Sequence, residues 1–118
     1  MFRIIKVDIF CTDILISSNQ SDKDLFSCLC EKFTSEQFGE AFGDFKSHAR
    51  TVTHSDGFIL IRFKNKINKS PEMIGLVSHE AYHASYSMLS RIGIEPCYET
   101  EEVYAYVTQY IVTEIFKL

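Results

Sequence analysis

Ser70-Pro71-Glu72 and Gly93 frame a stretch long enough for about six turns of helix, and this frame limits the fold more than any other feature of the chain. Ser70 can cap the first turn, and Pro71 suits the first helical position. Glu72 complements the positive end of the helix dipole. Gly93 supplies the left-handed conformation that stops a helix, so the rod is expected to end near Ile92. Inside it lies His79-Glu80-Ala81-Tyr82-His83, two imidazoles four residues apart and therefore on one helix face.

The remaining elements follow from periodicity. A last helix is expected from about Thr100 to Leu118, with Val103, Val107, Tyr110, Ile111 and Ile115 as its apolar set, after a segment that Pro96 keeps extended. Residues 2–10 and Asp13 to Ile16 are strand-like, either one long bent strand or two joined near Cys11-Thr12. Ser21 to Asp24 resembles a capping box and opens a helix with Leu25, Phe26, Leu29 and Phe33 in helical spacing. A short helix is expected after Thr34. Arg50–His54 and Gly57–Phe63 read as two strands joined through Asp56-Gly57, a hairpin signal. With 118 residues and 46% hydrophobic content, the chain is expected to form one domain, residues 1–118. The expected class is α+β, with a mixed or antiparallel sheet of three to four strands packed against the motif helix and the C-terminal helix.

Charge and composition narrow the function. A net charge of -4 without a basic stripe argues against nucleic acid as a partner. No apolar run is long enough to span a bilayer, and Arg3, Lys6 and Asp8 interrupt the N-terminal apolar stretch where a secretory signal needs continuity. A cytoplasmic protein is expected. Cys11, Cys28, Cys30 and Cys97 lack zinc-knuckle spacing and are expected to be buried or half-buried reduced thiols.

The spacing of His79 and His83 suits joint binding of one zinc ion, with Glu80 placed to act as general base on the bound water. A third ligand must come from elsewhere. An antiparallel hairpin through Gly93 would return the acids Glu99, Glu101 and Glu102 toward the motif. Glu102 is the choice: Ala105, three residues on, permits close helix approach, Glu101 points about 100° away, and Glu99 precedes the helix. Oxyanion stabilisation would need a further donor, for which His54, Tyr98, Tyr104 and Tyr106 are available without a motif to select among them. Turn and core-edge roles are the plainer reading of all four.

The HExxH string with a helical Glu in an E-x-x-A context resembles the gluzincin class of zinc metallopeptidases. The wider string, His79 to Ala84, then Ile92-Gly93-Ile94, then Glu101 to Tyr106, is similar to small zincin-like metallopeptidases of bacteriophages and prophages. This resemblance covers about the last 45 residues. It implies a zincin-like fold for that part, Zn2+ as cofactor, His79, His83 and Glu102 as its ligands, Glu80 as the catalytic base, and a peptide or protein substrate. Gluzincins often carry an acid shortly after the third ligand; here Tyr106 occupies the next turn and no acid follows until Glu114. Zincin folds also present an edge strand to an extended substrate, a role for which Phe58–Phe63 is the candidate, against the alternative that this apolar strand is core.

Three functions compete. The first is a zinc-dependent peptidase. The second is a catalytically inactive zincin-like accessory module of a phage or other mobile element. The third is a structural or regulatory domain in which the motif arose by chance, with both histidines as ordinary polar residues and Glu80 on a solvated face.

Overall fold

The computed structural model describes residues 1–29, 41–43, 46–54 and 56–118. Four strands form one mixed sheet: β1 (Phe2–Val7), β2 (Thr12–Ser18), β3 (Ala49–Thr53) and β4 (Ile59–Phe63). Their order is β1-β2-β4-β3. β1 and β2 are antiparallel, β2 and β4 parallel, and β4 and β3 antiparallel. The N-terminal apolar stretch is thus two strands. A 3-10 turn at Asp8–Phe10 and the left-handed Cys11 separate them.

Among the described residues three α-helices flank the sheet: α1 (Asp22–Leu29), α2 (Pro71–Arg91) and α3 (Glu101–Lys117). Alternation along the strands sorts their side chains between two cores. Ile14, Ile16, Ile59, Ile61 and Phe63 pack with Val77, Ala81, Ala84, Ile111 and Ile115 of α2 and α3. Leu15 and Leu60 point the other way and pack with Leu25 and Leu29 of α1. The sheet is therefore covered on both faces, as a parallel pair in its centre requires.

The caps fall where the residues place them. The Ser70 hydroxyl accepts from the Met73 amide and Pro71 opens α2. At the other end the Gly93 amide donates to Ser90 O and the Ile94 amide to Leu89 O, a Schellman motif with Gly93 at φ +83°. In α1 the Asp24 amide donates to the Ser21 hydroxyl, which in turn donates to the Asp24 carboxylate. The Asp56-Gly57 turn joins β3 to β4, with Gly57 at φ +93°.

Two expectations need amendment. Phe58–Phe63 is not an edge: β4 is paired on both sides and buried along its whole length, the core reading of that apolar run. Among the described residues the edge strands are β1 and β3, and β3 is the one beside the motif helix. Cys11, Cys28 and Cys97 are free but exposed, because each lies at a turn or on a solvent-facing side of its element. Cys30 and the short helix expected after Thr34 lie outside the described residues. No helix among the described residues is long and apolar enough to cross a membrane.

Candidate metal and catalytic site

α2 lies along β3, and two side-chain bonds hold the pair. The Thr51 hydroxyl donates to Glu80 Oε2 at 2.5 Å, and the Thr53 hydroxyl donates to Ser87 Oγ at 2.9 Å. Thr51 and Thr53 alternate onto the same face of the strand, the face turned to the helix. Glu80 is 5% exposed, so its carboxylate is enclosed between helix and strand rather than solvated. Its hydroxyl partner meets the requirement that a buried carboxylate be hydrogen-bonded.

His79 and His83 project from the next strip of α2, beyond the β3 edge, and both are exposed. Their Nε2 atoms stand 3.1 Å apart, with ring centroids at 4.8 Å and planes at 71°. Two nitrogens bound to one zinc at about 2.0–2.1 Å in tetrahedral geometry stand about 3.3 Å apart, so the pair fits two ligand positions of one ion. A cleft of about 410 Å³ contains both imidazoles, Glu80 and Thr51. A second cleft of about 630 Å³ continues from His79 and Glu80 along α2, past Met73 and Leu76, to His48 and Asn65. Together they form a trough between the outer edge of β3 and the motif helix.

The structure does not bring Glu102 to the imidazoles. The Thr108 hydroxyl donates to Ser85 Oγ at 2.9 Å, which fixes the register of the α2–α3 hairpin. α2 continues eight residues beyond His83, to Arg91. From that register the first turn of α3 lies about 12 Å along the axis from His83. Orientation opposes it as well. His83 and Ser85 differ by about 200° around α2, so α3 packs on nearly the opposite side from the imidazole pair. Glu102 is exposed, two residues from the buried Tyr104 and so on the outer side of α3. Glu101 is the acid turned toward α2, where it lines a separate cleft with Tyr82 and Tyr104. Glu99 is exposed in a 3-10 turn, its carboxyl held below the usual range by its own backbone amide and by Cys97. Among the described residues, no three His, Cys, Asp or Glu side chains are grouped to hold a metal. The described residues thus supply two of the three protein donors a hydrolytic zinc site normally uses.

None of the four oxyanion candidates lines the trough. His54 sits in the β3–β4 turn, where its Nδ1 accepts from the Asp56 amide at 3.1 Å. The Tyr104 hydroxyl donates to Ile94 O at 2.7 Å, and burial pushes its pKa up. Tyr98 and Tyr106 are exposed near and on α3. The hydroxyl residues that do line the cleft with the imidazoles are Ser47, Thr51, Tyr86 and Ser87. Tyr86 was discoverable: it follows His83 by three residues and so shares its face. Thr51 required knowledge of the strand order. Comparison with family models, characterised proteins and solved structures returns no match for this chain.

Proposed function

We propose that the chain is a zinc-dependent hydrolase of peptide bonds, with its substrate laid as an added strand along the outer edge of β3. One observation carries this reading: the imidazole pair and the enclosed Glu80 carboxylate open into the same trough beside β3, which among the described residues is the outermost strand on that side of the sheet. His79 and His83 would hold the ion, and the donors Glu102 does not provide fall to water and substrate. Zinc would supply a Lewis acid and acidify water.

The chain's own groups have clear tasks. Thr51 anchors one oxygen of Glu80, which leaves the other to accept a proton from water and return it to the leaving amine. The β3 backbone would align the peptide through main-chain hydrogen bonds, and the clefts on either side of Glu80 would receive alternate side chains. An enclosed Glu80 weighs against a chance motif on a solvated face.

The described residues bring only two protein donors together, which favours a second reading, a zincin-like module that captures an extended peptide without cleaving it. Elemental analysis and peptide hydrolysis by the intact chain separate the two. The hydrolase reading expects bound zinc that is lost in His79→Ala, retained in Glu102→Ala and retained without turnover in Glu80→Gln. Saturable peptide binding that is indifferent to zinc and to Glu80→Gln would establish the module instead. A chain that takes up no zinc at neutral pH ends the hydrolase proposal.

A further inference from the structure

The flank of α2 that meets the start of α3 carries a further cleft, of about 430 Å³, that the motif does not explain. It is lined by Tyr82, Tyr98 and Tyr104 with Glu101, Pro96 and Ala105. Tyr104 is buried and forms its floor; Tyr82 and Tyr98 are 47% and 88% exposed at its sides. The Tyr82 and Tyr104 rings stand 6.3 Å apart at 42°, and Tyr86 packs on Tyr104 from beyond at 6.4 Å. Tyr104 is fixed there because its hydroxyl is bound to Ile94 O.

The charge around this cleft is of one sign. From Ile92 to Phe116 the chain has no Lys, Arg or His; Glu101 lines the cleft, and the charge of Glu95 acts on Tyr104 at its floor. Aromatic rings attract a cation held within about 6 Å of their centroids, and a carboxylate at the rim adds to that attraction. An apolar ligand would gain from the rings but not from the acids. An anion would be repelled. A primary ammonium would need several hydrogen-bond acceptors, and Glu101 is the one carboxylate in the lining.

We propose that the cleft between the end of α2 and the start of α3 binds a quaternary ammonium group through Tyr82, Tyr98 and Tyr104, with Glu101 as counter-charge. Such a group has no N–H to satisfy, and its methyls match a tyrosine-lined wall. The volume admits a trimethylammonium head with its first methylenes. This site is distinct from the imidazole trough and does not depend on zinc.

The test is NMR titration of the intact chain with choline, with its neutral tert-butyl isostere, and with a short peptide containing trimethyllysine. Choline is expected to bind at least tenfold more tightly than the isostere. Glu101→Gln and Tyr82→Leu are each expected to weaken it severalfold, and Tyr82→Phe to retain it. Tighter binding by choline than by the peptide assigns a free small molecule as the ligand, and the reverse assigns a modified lysine side chain. Equal affinity for choline and its isostere, or no saturable shift at these tyrosines, overturns the proposal. Glu101 is exposed, so Glu101→Gln keeps the test open even where Tyr82→Leu unfolds the chain.

Discussion

Gly57 sits at φ +93° beneath the Arg91 guanidinium, which a Cβ at this position would strike. Arg91 is the end of a flexible side chain and can swing aside, but the backbone conformation cannot relax. Gly57→Ala is therefore expected to cost about 1–2 kcal/mol, measured as a lower urea midpoint at unchanged m-value. Thr51 makes a different kind of demand. Thr51→Val leaves the enclosed Glu80 without its donor and is expected to destabilise by about 1–3 kcal/mol, while Thr51→Ser restores most of the loss. These two residues also mark what a sequence discloses. Gly57 announces itself because Asp-Gly between apolar strands has one common geometry. Thr51 does not, since a threonine in a strand is ordinary until the helix beside it is known.

At the level of elements, α2 was legible in full. Ser70, Pro71 and Gly93 are local signals, and local signals do not wait on tertiary structure. Ser70→Ala is expected to lower stability by about 1 kcal/mol, read by the same urea titration. Strand order was not legible. β2 pairs in parallel with β4 across a connection that contains both α1 and β3, and no local pattern records such a crossover. That gap left Phe58–Phe63 open to both an edge and a core reading, when burial at every position of β4 belongs to an interior strand. The third ligand failed for a related reason. Spacing in sequence set Glu102 near the motif, but the register between α2 and α3 is decided by their packing, and Thr108 meets Ser85.

For the whole molecule, one buried cation ties the α1 layer to the sheet. Arg62, 6% exposed in the central strand, donates to Asp22 Oδ1, Ala41 O and Gln20 O, with the Phe42 ring 5.8 Å away. Its hydrogen bond holds the Asp22 carboxyl below the usual range, with the Gly43 amide also contributing. A depressed folded pKa gives stability that is complete above the unfolded carboxylate value of about 4 and is lost as pH falls through the folded one. Asp22→Asn is expected to narrow the gap in urea midpoint between pH 7 and pH 3. Arg62→Met strands three acceptors and is expected to cost about 2–4 kcal/mol, with part of it regained in the Arg62→Met/Asp22→Asn double variant. An arginine within Ile-Leu-Ile-Arg-Phe gives no hint of its partners, which lie 40 residues away in Asp22 and 21 in Ala41.

The two extra turns of α2 past His83 act as a spacer. Their length, more than the chemistry of any side chain, decides how far the acids of the returning rod stop from the paired imidazoles. Excising matched turns from both arms of the hairpin would slide those carboxylates along the axis without altering the loop between them. A chain of this design can thus gain or lose proximity between its acidic and imidazole groups through insertions and deletions alone, with every chemically active residue left in place.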